Sequence, residues 1–577
     1  MSWLARVPLF TAWRQTLRAG YGLRALRGDL LAGLTVGIIA IPLAMALAIA
    51  VGAPPQHGLY TVLVAAPLIA LTGGSRFNIS GPTAAFVVIL LPIVQQHGLS
   101  GLLLCSMLAG AILVALGLLK AGKLIEFVPY PVTLGFTAGI GIVIAGLQLK
   151  DALGLSVAGG AVHFPEQMFN LLRALPSAQP GDALVAACTL AVLIAWPRLV
   201  PRVPGHLAAL ALGTLLGLLL ERAGLPVATL GERFSYTAGG ATLPGIPPYL
   251  PAFALPWQLP GAAPLSFELV RELLAPAMAI AMLGAIESLL CAVVADGMTG
   301  SKHDPNGELI GQGLGNLLAP LFGGITATAA IARSAASVRA GAVSPLAALV
   351  HAGVVLAAML LLAPLFSYLP MAALAALLLM VAWNMAEAPH VLHTLRIAPR
   401  SDVLVLLTCL VLTVVFDMVL AVGAGLLLAA GLFIRQMSAL TDTEALPRDA
   451  RALHALPEHV VAYAIRGPLF FGAAEKALNT LRRFTPGVKV AIVDLSAVPL
   501  LDMTALATLD TVLREYRHHG VGLILCGAGS RVRLQLRRAG IHRREQQLAY
   551  VHDLEQARGK ALRWLGEEAE PALAGAV

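Results

Sequence analysis

The sequence predicts an α-helical polytopic membrane protein of about 14 transmembrane segments, followed by a cytoplasmic α/β domain. Only 12% of the 577 residues are charged and 58% are hydrophobic, whereas a soluble globular protein carries about 25% charged residues. The charges are also uneven, because residues 436–577 hold 18 of the 39 Lys and Arg residues and 15 of the 31 Asp and Glu residues. These observations exclude a cytosolic enzyme, a disordered chain and a secreted disulfide scaffold.

Apolar runs recur from residue 30 onwards, and about 20 apolar residues are needed to cross about 30 Å of hydrocarbon. Long candidates lie at 30–51, 99–119, 127–148, 183–200, 205–220, 271–295, 343–367, 370–387 and 403–434. The last run contains one charge, Asp417, and is long enough for two shorter spans with Asp417 near the hairpin tip. Shorter pieces interrupted by Gly or Pro lie at 58–72, 83–96, 309–322 and 326–341.

Basic residues set the expected orientation, because cytoplasmic loops of membrane proteins are enriched in Lys and Arg. With the N-terminus inside, the inner segments hold 13 Lys and Arg residues and the outer segments hold five. An even number of spans then places both termini in the cytoplasm. The first apolar run follows five arginines and lacks an A-x-A cleavage site, so we expect a retained first span.

We expect four parts along the chain: a cytoplasmic N-terminal segment at 1–29, a membrane domain at 30–435, a cytoplasmic domain at 436–565 and a tail at 566–577. In the cytoplasmic domain, alternating apolar patterns predict strands at 459–466, 488–496 and 521–528. Amphipathic patterns predict helices at 472–484, 503–518, 530–539 and 552–565. This alternation of strands and helices is typical of a small α/β domain.

Two interrupted membrane segments share an unusual design. The first is GGSRFNISGPTAAFVV at 73–88 and the second is GGITATAAIARSAASV at 323–338. Each passes from a Gly pair through an extended stretch rich in Ser, Thr or Asn, and then begins a helix in mid-membrane. An extended backbone persists in hydrocarbon only where protein or a watery cavity satisfies its amides. Such paired interruptions in two halves of a chain indicate a transport site.

The two helix starts, which we place at Thr83–Ala84 and Arg333–Ser334, predict an anionic substrate. A helix N-terminus presents free N–H groups and about half a positive charge. With the guanidinium of Arg333, the site would carry roughly two positive charges by the same estimate. The alternative is that Arg333 snorkels or pairs with a structural carboxylate. We favour the anion-binding role, since ionisable residues inside a membrane are usually functional.

Glu287 is the other charge at depth, with no further charge between Glu272 and Asp296. A charged carboxylate in mid-span costs roughly 2.5–3.5 kcal/mol on insertion scales, so Glu287 is suited to carry a proton or, with hydroxyl and carbonyl oxygens, Na⁺. The alternatives are an ion pair with Arg333 or a lipid-facing position. We favour coupling-ion binding.

Other polar residues in apolar segments are weighed in the same way. Gln312 and Asn316 share one helical face of ELIGQGLGN (308–316), where small residues favour close helix packing. With Asn78 and Thr328 they are candidates to line the site, and a purely structural role in packing is an equal alternative for Gln312 and Asn316. His351 is predicted to be a neutral histidine bonded to a backbone carbonyl, with a proton relay as the alternative.

No motif indicates catalysis or a cofactor. The chain has no GxxxxGK[ST], HExxH or GxSxG sequence, so we expect a protein that is not an enzyme, binds no cofactor or metal, and is not driven by ATP. Its five cysteines are isolated and lack metal-ligand spacing. The basic residues that flank membrane segments account for much of the net charge of +8, so we expect no nucleic-acid partner.

Long motifs in this chain are similar to those of the SulP-type anion transporters. The N-terminal motifs are GDLLAGLTVGIIAIPLAMALAIAVGAPPQHGLY at 28–60 and TGGSRFNISGPTAAF at 72–86. VDLSAVPLLDMTALATL at 493–509 resembles a STAS domain. AMLGAIESLLCAVVADGMTG at 281–300 and the stretch at 311–345 resemble the DauA-like bacterial C4-dicarboxylate carrier branch.

The resemblance implies 14 segments in two inverted seven-segment repeats, an elevator-like motion of a core against a gate, and homodimers. It places the substrate between the broken third and tenth segments. The matching substrate positions are Thr83, Ala84, Arg333, Ser334 and, as a wall position, Leu47. Glu287 matches the coupling-ion carboxylate of the eighth segment.

The resemblance favours a proton-coupled symporter of small dicarboxylates such as succinate, fumarate or aspartate in the bacterial inner membrane. The nearest alternative is a sulfate or bicarbonate transporter, with Na⁺ as a second choice of coupling ion. An anion channel and a membrane sensor acting through the STAS-like domain also stay open. Asp502-Met503-Thr504 replaces the Asp-Ser pair of phosphorylated STAS domains. This argues against phosphorylation at that position, where Thr504 substitutes only in part, and leaves docking or dimer regulation as the expected role.

Overall fold

The protein folds as two compact units, residues 1–426 and residues 427–577. The computed structural model describes residues 8–125, 128–157, 164–200, 204–238, 241–416, 418–447, 453, 456–482 and 487–566. Asp417 and the tail beyond Gly566, for which the sequence made predictions, lie outside the described residues. The predicted architecture of a helical body followed by an α/β domain is confirmed.

The first unit is built mainly of long apolar helices. Its helices are α1 (Thr11–Ala19), α2 (Leu23–Ala50), α3 (Pro55–Thr72), α4 (Val87–Leu118), α5 (Gly122–Ile125), α6 (Tyr130–Ala152), α7 (Phe164–Ala174), α8 (Pro180–Leu199), α9 (Gly205–Arg222), α10 (Leu230–Arg233), α11 (Phe267–Thr299), α12 (Pro305–Leu318), α13 (Ile331–Arg339), α14 (Leu346–Phe366), α15 (Met371–Ala386), α16 (Ala388–Ile397), α17 (Arg400–Val415) and the first part of α18 (Met418–Ala439). Its short strands are β1 (Ser80–Gly81), β2 (Ser235–Ala238), β3 (Ala241–Pro244) and β4 (Thr328–Ala329). Among the described residues, nine helices have the length and composition to cross a bilayer.

Two of the predicted spans are joined in one helix. The pieces predicted at 83–96 and 99–119 both fall in α4 and the 3-10 turn before it, and Gly98, with φ of 66°, interrupts the helical backbone between them. This positive φ favours glycine, because residues with a β-carbon rarely adopt that backbone conformation. The run 403–434 is divided as expected into α17 and α18.

The helices contact one another in two corresponding sets. Helix α2 packs against α14 in the way that α11 packs against α4, and α3 packs against α14 as α12 packs against α4. Likewise, α6 contacts α17 as α15 contacts α8. These matching pairs relate the segments from α2 to α9 with those from α11 to α18. The helical unit therefore contains two corresponding sets of helices, as the paired interrupted segments predicted.

Small residues bring these helices together. A β-carbon on Gly110 of α4 would lie 2.7 Å from the carbonyl oxygen of Gly313 of α12, and a β-carbon on Gly313 would lie 2.7 Å from that of Gly110. A side chain at either position would force the two backbones apart. The close packing predicted for residues 308–316 is confirmed at this crossing.

The second unit contains a five-stranded sheet in the order β5-β6-β7-β8-β9. The strands are β5 (Asp442–Ala445), β6 (Val460–Arg466), β7 (Val490–Ala497), β8 (Gly522–Cys526) and β9 (Leu548–Val551), and the helices are α19 (Ala474–Leu481), α20 (Met503–His518), α21 (Ser530–Arg538) and α22 (Leu554–Leu565). All neighbouring strands are parallel except β5 and β6. The three predicted strands and four predicted helices of this unit are confirmed, and β5 and β9 are additional.

Both faces of this sheet are covered. Ala491 and Val493 pack in a cluster with residues of α19, α20 and α21, whereas Val490 and Ile492 pack with residues of α22. Burial on both faces explains the nearly continuous apolar sequence of β7. Cys526 lies in the second cluster, where burial raises the pKa of its thiol to about 12.

Candidate anion-binding site

The two interrupted segments meet in the structure. Strands β1 and β4 pair antiparallel, with Ser80 opposite Ala329 and Gly81 opposite Thr328. All four residues are buried. The strands thus satisfy part of each other's backbone in the interior of the helical unit, as an extended segment at membrane depth requires.

A helix begins directly after each strand. On one side, Thr83 has an extended backbone and a 3-10 turn, Ala84–Phe86, leads into α4. On the other side, α13 begins at Ile331, two residues before the predicted start. The reason is that the N–H of Ser334 already donates to the carbonyl oxygen of Ala330, at 2.9 Å. The unpaired N–H groups at this helix start therefore belong to the residues before Ser334.

Arg333 lies between the two helix starts. Its side chain extends from the first turn of α13, is only 3% exposed, and donates from Nη2 to the carbonyl oxygen of Pro82 at 2.9 Å. A β-carbon on Gly81 would lie 2.8 Å from Nη1, so glycine gives the guanidinium its room. Among the described residues, Nε and Nη1 have no hydrogen-bond partner. The guanidinium thus keeps donors that an anion could accept from.

Glu287 lies at the other side of the first helix start. Its Oε2 accepts a hydrogen bond from the hydroxyl of Thr83 at 3.1 Å, and Thr83 follows the residue that Arg333 binds. In the described part of the chain, no ion pair joins Glu287 and Arg333. These two charges therefore do not form a direct ion pair in the structure.

The helix starts are accessible, whereas the strands behind them are buried. Thr83 and Glu287 are partly exposed, and Ile331 and Ala332, the first two residues of α13, are exposed. Ser80 and Thr328 of the paired strands are at most 1% exposed. Residues at both helix starts are therefore more exposed than the paired strands.

Glu308 is a buried carboxylate that the sequence interpretation missed. It is 0% exposed; its Oε2 accepts from the backbone N–H groups of Gly74 at 3.1 Å and Ser75 at 3.0 Å. Its Oε1 accepts from the side-chain amides of Asn78 at 2.7 Å and Gln312 at 3.0 Å. The spacing of Glu308 and Gln312 by one helical turn in ELIGQGLGN was the signal that could have identified it.

We expect Glu308→Gln to destabilise the membrane unit by about 2 kcal/mol. Each carboxylate oxygen of Glu308 accepts from two N–H donors. In the Gln variant an NH₂ group replaces one of these oxygens, so two buried donors lose their acceptor, which costs about 1–3 kcal/mol. The measurement is thermal unfolding of the purified protein in detergent. Glu221→Gln, at the exposed end of α9, is the control; equal effects of the two changes would contradict this structural role of Glu308.

Asn78, Gln312 and Asn316, which were predicted to line the site, form hydrogen bonds in the buried region around the paired strands. Asn78 donates to the carbonyl oxygen of Ser288 as well as to Glu308, and Gln312 donates to the hydroxyl of Ser80. Asn316 both donates to and accepts from the backbone of Ala327, at 2.7 Å each. Each of these three side chains is at most 6% exposed. Direct contact with a substrate stays a prediction for them.

Three further predicted residues are also buried. The hydroxyl of Thr328 donates to the carbonyl oxygen of Gly284 on α11 at 3.2 Å, and Ser334 accepts at its hydroxyl from the N–H of Ile79 at 2.9 Å. Both contacts fix the paired strands to neighbouring helices. Leu47 is 2% exposed near the end of α2, which contacts α3, α14 and α15.

His351 differs from its prediction. It is 0% exposed on α14, but neither Nδ1 nor Nε2 has a hydrogen-bond partner among the described residues. The expected bond to a backbone carbonyl is wrong, since the carbonyls near it on α14 are already used within the helix.

Known sequence families match both units. The profile described as "Sulfate permease family" matches residues 26–409, and the profile described as "STAS domain" matches residues 455–553. The chain is 40% identical over 525 residues to "Putative sulfate transporter YvdB" of Bacillus subtilis, covering 90% of this chain and 95% of that protein. It is 30% identical over 543 residues to "Bicarbonate transporter BicA" of Picosynechococcus sp., covering 90% and 92%.

Solved structures show the same fold. A structure of SLC26A9 aligns with a TM-score of 0.82 at 17% identity, over 98% of this chain and 94% of that one. The transmembrane domain of a cyanobacterial bicarbonate transporter BicA aligns with a TM-score of 0.58 at 30% identity, over 71% of this chain and 99% of that one. The predicted fold class, a helical membrane transporter with a C-terminal STAS domain, is confirmed.

Proposed function

This chain belongs to the sulfate permease family of anion transporters, and on that premise we propose that it is a secondary active transporter of a small oxyanion of the sulfate or bicarbonate class. One observation carries the proposal: Arg333 binds the carbonyl of Pro82 and Glu287 binds the hydroxyl of Thr83. The guanidinium of Arg333 can bind an anion and the carboxylate of Glu287 can bind a coupling ion. They contact adjacent residues, Pro82 and Thr83, at one helix start.

The charge of the site fits this substrate class. The unpaired N–H groups of two helix starts and one guanidinium together supply roughly two positive charges, which matches doubly charged sulfate and attracts singly charged bicarbonate. The relatives named for sulfate and bicarbonate support the same choice. Carriage of C4-dicarboxylates, which the DauA-like motifs predicted, stays a prediction, because both sulfate and succinate carry two charges.

Glu287 is the proposed site of the coupling ion, a proton or Na⁺. While it is ionised, its negative charge opposes an anion at the neighbouring helix start. A bound cation removes this opposition, so anion and cation favour each other's binding. Thr83 connects the two sites directly, since it starts the anion-binding helix and donates to the carboxylate.

The proposed motion is elevator-like. Helices α2, α3, α4, α11, α12, α13 and α14 contact one another as one group, and α6, α8, α9, α15 and α17 form a second group. The 3-10 turn at 84–86 touches α6 and α15 of the second group. Sliding of the first group along the second would carry the helix starts, with bound ions, across the membrane.

The remaining proposals concern the cell. We propose the bacterial inner membrane as its location. We place both termini in the cytoplasm, because 13 of the 18 basic residues assigned to loops then lie on that side. We expect a homodimer and a cytosolic partner for the STAS domain. The exposed side chain of Met503, at 77%, lies where the phosphorylated type has a serine and supports docking rather than phosphorylation.

A competition series tests the substrate. Uptake of labelled sulfate by purified protein in proteoliposomes is measured in the presence of unlabelled bicarbonate, succinate, fumarate or aspartate as competitor. The series is run at acidic and neutral pH, with and without Na⁺. We expect sulfate or bicarbonate to compete at least tenfold more strongly than the dicarboxylates. The reverse order would restore the dicarboxylate prediction. Current without a fixed ratio of cation to anion would indicate a channel, and absence of uptake would indicate a sensor.

A further inference from the structure

We propose that the N-terminal segment of this protein binds the headgroups of anionic phospholipids through one basic face. The face comprises Arg14, Leu17 and Arg18 of α1 and Leu23, Arg24 and Arg27 at the start of α2. These positions follow helical spacing, so each helix shows two arginines and one leucine on the same side. The proposal does not depend on which anion is transported, since it concerns a different surface.

All six side chains are exposed, with Leu17 at 67% and Leu23 at 80%. The two exposed leucines lie beside the arginines on this face. At a membrane surface the pattern is favourable, because leucine enters the boundary of the acyl chains while the long arginine side chain reaches the phosphate. The face therefore fits a lipid better than it fits solvent.

The charge of the segment is entirely positive. Residues 1–28 contain five arginines and no Asp or Glu, and in the described part of the chain none of the four arginines of the face forms an ion pair. The first acidic residue, Asp29, is 0% exposed and accepts from Tyr21 at 2.6 Å and from the N–H of Val343 at 2.7 Å. Four guanidinium groups are thus available to phosphate oxygens.

Helix α1 is fixed at the end of a membrane helix, which places the face at the level of the headgroups. Trp13 donates from Nε1 to the carbonyl of Ala70 at 3.1 Å, and the N–H of Phe10 donates to that of Thr72 at 3.2 Å. Ala70 and Thr72 are in the last turn of α3. Because Ala12 and Thr16 are buried on the opposite side of α1, the arginines must point away from the protein.

The same contacts connect the lipid face with the candidate anion-binding site. The hydroxyl of Thr11 donates to the carbonyl of Gly73 at 3.5 Å, and the next two residues, Gly74 and Ser75, donate to Glu308 beneath the paired strands. A lipid that holds α1 in place therefore supports the segment that leads into β1. We infer that anionic lipid is a structural ligand of this protein.

Quenching of Trp13 fluorescence tests the proposal. The full-length protein is reconstituted in phosphatidylcholine vesicles containing a quarter phosphatidylglycerol, with one of the two lipids brominated near the headgroup end of its acyl chains. A Trp13→Phe variant gives the fluorescence of the other five tryptophans, and the contribution of Trp13 is the difference between the wild type and this variant. After scaling for lipid content, we expect brominated phosphatidylglycerol to quench Trp13 at least threefold more than brominated phosphatidylcholine.

Replacing Arg14, Arg18, Arg24 and Arg27 together by Gln should bring the two quenching values to parity, and replacing them by Lys should retain the preference. As a matched control, Gln at the four exposed arginines of α21, which are Arg531, Arg533, Arg537 and Arg538, removes the same charge and should leave the preference unchanged. Free glycerol phosphate should not reduce it. Equal quenching in the wild type, or a preference that survives the N-terminal Gln changes, would overturn the proposal.

Discussion

Arg333→Ala is expected to weaken anion binding by at least tenfold, which corresponds to about 1.4 kcal/mol. The guanidinium is 3% exposed and lies between the two helix starts with two nitrogen atoms unpartnered among the described residues. Its loss removes about half of the positive charge that we assign to the site. The measurement is equilibrium binding of labelled sulfate, or of the anion that the competition series selects, to purified protein.

Arg339→Ala is the matched control, because Arg339 lies on the same helix, is exposed and, among the described residues, donates only to the carbonyl of Ala335. Arg333 also holds Pro82, so the unfolding temperature of both variants is measured with the affinity. Unchanged affinity in a folded Arg333→Ala variant would place the anion elsewhere. Equal loss in both variants would show that the effect is one of overall charge.

Glu287→Gln is expected to abolish accumulation driven by a gradient of pH or Na⁺ while leaving some exchange of anion for anion. Gln is nearly isosteric and can accept from Thr83 through its carbonyl oxygen, so the helix start keeps its contact. It has no carboxylate to bind and release a cation. Uptake into proteoliposomes with an imposed gradient is compared with counterflow at equal ion concentrations on both sides.

Glu272→Gln serves as the control in these flux measurements, because Glu272 lies on the same helix α11 at an exposed position. It should accumulate anion like the wild type. Normal gradient-driven accumulation by Glu287→Gln would exclude Glu287 as the coupling site. Loss of exchange together with accumulation would instead indicate that the carboxylate is needed for anion binding itself.

The scarcity of charge made the central residues predictable. A charged side chain in an apolar segment is costly, so Glu287 stands out in a run without other charges, and Arg333 stands out after an apolar stretch. In 73–88 and 323–338, a Gly pair followed by Ser, Thr or Asn residues inside an apolar segment indicated extended backbone. The antiparallel pairing of Ser80 with Ala329 is the contact that these two patterns implied.

Two buried carboxylates were harder to find from the sequence. Asp29 and Glu308 lie at the edges of predicted membrane segments. A charge at such an edge is ordinarily solvated, so it does not indicate a buried site. Their partners lie far away in sequence: Glu308 binds Gly74, and Asp29 binds Val343. A single sequence gives no sign of which distant backbone N–H groups will meet a carboxylate. The one-turn spacing of Glu308 and Gln312 could have pointed to Glu308, but its backbone partners, and the role of Asp29, are shown only by the tertiary contacts.

Local exceptions account for the other differences. Strand β5 has the sequence DTEA, which lacks alternating apolar residues and exists because it pairs with the edge of β6. Helix α13 begins at Ile331 although the sequence pointed to Arg333, because Ala330 serves as the first acceptor. The burial of His351 in α14 was predictable from the sequence, but the acceptors around it were not. Among the described residues it has no carbonyl partner.

Protection of a cysteine at the start of α13 tests the central claim most directly. Ala332→Cys is made in a background without the five native cysteines and is modified with a neutral thiol reagent. Arg339→Cys, at the other end of the same helix, is the control; both positions are exposed. If the anion binds between the helix starts, the transported anion slows modification at position 332 at least fivefold and leaves position 339 unaffected. Equal modification rates at position 332 with and without the anion would contradict the account.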